Sequence, residues 1–255
     1  MLVVISPAKT LDFSPAPLLL PLTTSEMKDE VVALAKVTRR LKPADLKRLM
    51  SISDALAKLN HERFQAFDPE LEDGLQAILA FNGGVYAALK ARELSRAQLD
   101  WAHDHLRILS GLYGVLRPYD AIQPYRLEMG IRLKTRRGPN LYSWWGKRIA
   151  QNLDETLQDH GEPVILNAAS QEYFGSVDRK ALKARVVTCH FKEEQDDDLR
   201  VLSFYAKAAR GLMARFCIEH RIDRIDDVRS FDVGGYRWNA DLSTPDDWIF
   251  SRPQP

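Results

Sequence analysis

Short apolar runs and longer amphipathic stretches follow one another along the chain, and their spacing predicts its elements. Leu2 to Ile5 is an unbroken apolar run stopped by Ser6-Pro7, the pattern of a buried strand. Further strand signals fall at Val164–Asn167 and at residues 185–191, 200–204 and 248–251. In the second of these four, Val187, Cys189 and Phe191 alternate with Thr188 and His190, which predicts one buried face. Helical periodicity marks residues 25–41 and 44–59, joined at Lys42-Pro43, where proline suits a first helical turn. Helices are also predicted over 76–89 and 95–109. Residues 141–160 place Ile149, Leu153 and Leu157 at four-residue spacing and stop at Gly161, a natural helix end. Residues 203–221 form the last strong helical pattern.

The first strand and the others are separated by roughly 160 mostly helical residues. They are expected to share one mixed sheet, which gives an α+β fold with a large helical portion. No linker rich in Gly, Ser or Pro and no internal repeat divides the chain, so residues 1–255 are expected to form a single domain. The 255 residues are enough to bury a core without a disulfide or metal staple. Hydrophobic (45%) and charged (28%) shares exclude a collagen-like or wholly disordered chain. Pro15, Pro17 and Pro21 interrupt the apolar stretch near the start, well short of the roughly 18 residues of a membrane span. The start has no basic signal-like region, and two cysteines make no disulfide framework. A cytoplasmic protein without a membrane partner is expected; nothing in the pattern fixes its oligomeric state.

The net charge of +1 says nothing about nucleic acid, but its distribution does. Between Asp104 and Arg148 nine basic residues face three acidic ones. Arg107, Arg117, Arg126, Arg132, Lys134, Arg136 and Arg137 are interleaved there with Tyr113, Tyr119, Tyr125, Tyr142, Trp144 and Trp145. Arginine forks suit phosphate oxygens, and aromatics can stack on bases. A solvated surface with structural aromatics is the plainer alternative. On the 203–221 helix, Tyr205, Ala208, Ala209, Leu212 and Phe216 fall on one side. Lys207 and Arg210 fall opposite, with Arg215 at the edge, a stripe able to track a phosphate backbone. Two places offer a helix-hairpin-helix. One is the 25–59 pair, flanked by Arg39, Arg40, Lys42 and Lys47; the other is Gly111-Leu112-Tyr113-Gly114, weakened by Pro118.

A second reading is enzymatic. Ser6, Lys9 and Thr10 follow the first strand, and Asn167, Ser170, Glu172 and Tyr173 follow another strand end. Together they would form a pocket for a nucleotide-like or phosphorylated small molecule. The opening loop lacks the glycines of a P-loop, which disfavours ATP hydrolysis, and no cofactor is called for. No Cys-x-x-Cys or His-Glu-x-x-His pattern is present, so no metal ligands are assigned. Cys189 and Cys217 read as core residues.

Several segments resemble the YaaA family of bacterial peroxide stress proteins. They are Ile5 to Leu11 (ISPAKTL), Ala80 to Tyr86 (AFNGGVY), Leu109 to Pro118 (LSGLYGVLRP) and Pro124 to Gly130 (PYRLEMG). Asn167 to Ser170, Glu172 to Phe174, and Ser203 to Met213 continue the resemblance, which reaches about Tyr236. It implies a cytosolic protein protecting against hydrogen peroxide and associated with limiting free iron. It also implies DNA binding by a basic cleft on an unusual α+β fold with a helix-hairpin-helix-like element. With phosphate contacts carrying it, binding to duplex or locally melted DNA is expected to be independent of base sequence. It supplies no catalytic residues.

Overall fold

The computed structural model describes residues 1–68, 74–195 and 198–253. Its centre is a mixed eight-stranded sheet. The strands are β1 (Leu2–Ile5), β2 (Leu106–Ser110), β3 (Gly114–Leu116), β4 (Val164–Asn167), β5 (Arg185–Gln195), β6 (Asp198–Arg200), β7 (Arg237–Asn239) and β8 (Asp247–Pro253). The order is β7-β8-β5-β4-β1-β2-β3, with β6 paired to β5. Five adjacent strands, from β8 to β2, run parallel. Every residue of β1 and β4 is buried, and all but Asn167 are apolar, as suits enclosed parallel strands. In β5, Val187, Cys189 and Phe191 are buried while Thr188 and His190 are not, as the alternation predicts.

Eight helices matter to the site: α1 (Lys28–Thr38), α2 (Pro43–Met50), α3 (Asp54–Ala66), α4 (Gly84–Leu89), α5 (Arg96–His105), α6 (Leu141–Trp145), α7 (Arg148–Leu157) and α8 (Ser203–His220). Helix α7 ends before Gly161 and buries Ile149, Ala150, Leu153 and Leu157. Helix α8 lies on β1 and β5 and crosses α4 at Gly211, where a Cβ would come within 2.0 Å of the Val85 carbonyl oxygen.

Several predicted boundaries are corrected. The gap between β1 and β4 is not mainly helical: β2 lies within it and pairs with β1, Val3 opposite Leu106. The helix expected over 95–109 stops at His105. The one expected over 76–89 breaks into short pieces, of which α4 is the longest. Residues 25–59 hold three helices instead of two, because Ser51 turns left-handed (φ 51°) and Ser53 caps a new helix. Gly146 (φ 51°) likewise separates α6 from α7. The strand signal at 200–204 is displaced: β6 ends at Arg200 and Phe204 belongs to α8. Gly111 to Gly114 joins antiparallel strands β2 and β3, so it is a β-hairpin turn and no helical hairpin.

Candidate functional site

The strand order of the sheet reverses between β1 and β4, and the space between the loops at their carboxyl ends is termed the crevice. From β1 the chain goes on to β2 on one side of the pair, and from β4 it goes to β5 on the other. The loops leaving the two strands therefore diverge, and the gap between them is where open α/β sheets place ligands. Ser6 and Ser170 close the floor of that gap. Ser6 Oγ accepts the Ser170 backbone N–H (2.8 Å) and donates to Ser170 Oγ (3.2 Å). Ser170 Oγ in turn caps the short turn 171–174 through Tyr173 N–H. The buried Tyr86 phenol donates to the Ser6 carbonyl (3.0 Å), and burial pushes its pKa well up, so it stays a neutral donor. Asn167 spends its amide inside the fold, on Ala169 N–H and Thr188 Oγ1.

Charge enters from three directions. Lys9 Nζ meets Glu128 Oε2 at 2.6 Å, and Arg126 Nη2 meets Glu128 Oε1 at 2.8 Å. Lys9 is 62% exposed, whereas Glu128 is 15% exposed. Burial pushes the Glu128 carboxyl up, but its bonds to Lys9 and Arg126 hold it below the usual carboxylate range. Glu172 Oε1 accepts Gly130 N–H (2.9 Å), tying the 126–130 strap to the turn after β4. On the opposite side, Ala8 packs near Gly83, and the Lys207 stem lies against Gly84. Lys9 and Lys207 thus flank the Gly83–Gly84 turn. Thr10 belongs to a short bridge with Asn82 and faces solvent. Beyond Gly130 the strap alternates: Ile131 and Leu133 are buried, while Arg132, Lys134 and Arg136 are exposed. None of those three pairs with a carboxylate among the described residues.

The other predicted contacts have different settings. Arg107 is 4% exposed and donates to the His103 and Leu106 carbonyls, at the far end of the sheet. It cannot reach a phosphate in the crevice. Arg117 is held by Asp120 and Glu26, Arg137 by Glu30, and Arg215 by Glu219 and Glu93. The local excess of arginine is therefore largely neutralised within the fold. Arg39 donates to the Phe67 carbonyl and Lys47 pairs with Asp54, while Arg40 and Lys42 are exposed. These four cluster on the helical side, on or beside α1 and α2. The predicted basic stripe on α8 is corrected at Arg210, which is partly buried; with Arg215 paired, Lys207 is the exposed member of the three without a carboxylate among the described residues. Tyr113, Tyr119, Tyr125, Trp144 and Trp145 are core residues, unavailable for stacking on bases.

Sequence reasoning passed over Glu128 and Tyr86 as members of this site. Their signal was present in the Pro124–Gly130 and Ala80–Tyr86 motifs, but only the fold joins those segments to Lys9. Cys189 and Cys217 are both buried, and burial pushes both thiols up, Cys217 to about 12. Among the described residues no three His, Cys, Asp or Glu side chains gather as a metal site requires.

A mixed sheet with helices packed against it makes this a single-domain α+β protein. Its sequence places it further. The family described as peroxide stress protein YaaA matches residues 1–242, and the chain belongs to that family. A UPF0246 protein of Caulobacter vibrioides is 64% identical over 255 residues, all of both chains. Relatives of the same description occur in Phenylobacterium zucineum (59% identical, covering all of this chain and 96% of the relative) and Roseobacter denitrificans (52%, all of this chain and 99% of the relative).

Proposed function

We propose that this peroxide stress protein binds nucleic acid, recognising phosphate and not base sequence. One observation carries the reading: among the described residues Lys207, Arg132, Lys134 and Arg136 are exposed cations without carboxylate partners, three on the strap and one against the Gly83–Gly84 turn. Most other arginines nearby already have acceptors, so these four are the groups whose counterions a phosphate backbone would displace. Lys9 adds a fifth charge, shared with Glu128. DNA, duplex or locally melted, is the partner this surface fits, and a cytoplasmic site of action accords with two free thiols. A link to intracellular iron needs no metal site in this chain, since a nucleic-acid-binding protein can influence iron indirectly.

The test is a binding titration against duplex, single-stranded and bubble DNA at several salt concentrations. Each neutralised duplex phosphate contributes a log–log slope of about −0.9. Replacing Arg132, Lys134 and Arg136 together by Ala should flatten the slope by roughly two to three units, equally for all sequences. A folded triple variant with an unchanged slope would exclude the strap from the surface.

A second reading, an enzyme acting on a phosphorylated small molecule, is favoured by the Ser6–Ser170 pair that joins both strand-end loops. On that reading Lys9→Ala abolishes turnover while DNA binding stays normal.

A further inference from the structure

Lys207 and Arg210 lie one turn apart on α8, yet their surroundings are opposite. Lys207 is exposed over the Gly83–Gly84 turn. Arg210 is near enough to Cys189 of β5 to interact with it electrostatically, and burial holds its guanidinium below the usual arginine range. Thr188 is in register with Asn167, the last residue of β4. Cys189, one residue further, is level with the loop that leaves β4 for Ser170. Arg210 is therefore at the level of the crevice floor.

Its bonding is unlike that of the other arginines there. Among the described residues Arg210 has no hydrogen-bond acceptor and no carboxylate, and its Nε is sealed from solvent without a partner. The residue as a whole is only partly buried, so the guanidinium is not fully enclosed. Arg107, also buried, has two carbonyls and a hydroxyl as acceptors. Arg117, Arg126 and Arg137 each have a carboxylate. A guanidinium kept largely from water with no acceptor among the described residues is costly in the free protein, and an oxyanion bound to it would remove that cost. A planar fork with an ammonium one helical turn away suits a tetrahedral, doubly charged group.

We propose that Arg210 and Lys207 form an oxyanion subsite at the crevice floor that takes a phosphomonoester. A monoester projects from its ligand and can reach a recessed fork, whereas a backbone phosphodiester is flanked by a sugar on both sides. The subsite rests on the reading of the crevice as a phosphate-binding surface, and it narrows the ligand to one with a terminal phosphate.

Thermal denaturation of the full chain tests it, with inorganic phosphate, a nucleoside 5′-monophosphate, or a short duplex without terminal phosphates, each against chloride at equal ionic strength. A ligand that binds only the folded state raises Tm with its concentration. The wild type should respond to phosphate and to the monophosphate. Arg210→Met keeps much of the apolar stem, so it should match or exceed the wild-type Tm without ligand and lose both responses. Arg210→Lys, which keeps the charge without the fork, should fold and bind phosphate about tenfold more weakly, and it stands in if the Met variant does not fold. An undiminished response in either variant overturns the subsite. Salt-dependent duplex binding by a wild type indifferent to phosphate overturns the subsite alone. A phosphate response without any duplex binding overturns the nucleic-acid reading and leaves the subsite to a small phosphomonoester.

Discussion

At the amino ends of β1, β2 and β4, Met1, His105 and His160 meet around a cavity of about 830 Å³ that Glu26, Asp104, Glu155, Asp159 and Asp223 also line. At the carboxyl ends of the same strands, the crevice is flanked by Lys9, Lys207 and the cation-bearing strap. Histidine does not offset the acidic edge. Burial is the first cause lowering His103 and His160, both to about 4, and it also lowers His105. These imidazoles are neutral at pH 7. Arg107 at that edge donates to the His103 and Leu106 carbonyls. A whole-chain charge of +1 thus averages an edge whose cavity is lined mainly by carboxylates and an edge flanked by exposed cations.

The sharpest way to break this comparison is mechanical. The basic edge depends on α8 lying close to α4 at Gly211, where an added Cβ would collide with a backbone oxygen. Gly211→Ala should cost about 3 kcal/mol or more, read by chemical denaturation. Gly161→Ala, at the acidic edge, meets nothing within 4 Å and should change stability by no more than about 0.5 kcal/mol. Equal effects at the two glycines would contradict the packing described here.

A smaller effect concerns the cations that are already occupied. Glu30 on α1 holds both Arg137 and Arg148. Burial pushes its carboxyl up, but the two guanidiniums outweigh burial and leave it below its usual value. A carboxyl lowered in this way adds stability above its unfolded pKa of about 4.3, and the gain disappears as pH falls through the lower native value. Glu30→Gln should therefore cost about 1–3 kcal/mol at pH 7. The gap from wild type should close in strong acid. A gap independent of pH would mean that the ion pairs contribute little.

Much of the sheet was readable from the chain, and the failures have physical causes. Strand β5 announces itself because one face is covered more than the other, so Val187, Cys189 and Phe191 alternate with their neighbours. Strand β2 is buried on every residue and has no alternation; Leu106 and Leu109 even continue a helical spacing. The break at Ser51 rests on one left-handed residue that is not glycine, which periodicity does not register. At the site, Ser6, Lys9, Ser170 and Glu172 were legible as residues following strand ends. Glu128 was not, because its partners come from separate parts of the chain. Arg210 was misplaced because a helical wheel assumes one buried face, and α8 is covered by both the sheet and α4. The neutralisation of Arg137 was equally hidden, since Glu30 lies 107 residues away.

The central claim is that the carboxyl edge, and not the acidic one, receives nucleic acid, and amide hydrogen exchange with and without a short duplex tests it most directly. Added protection should appear in residues 6–10, 126–136 and 203–210, with residues 101–107 and 152–160 unchanged. Protection confined to the acidic edge, or absent at saturating DNA, would contradict it.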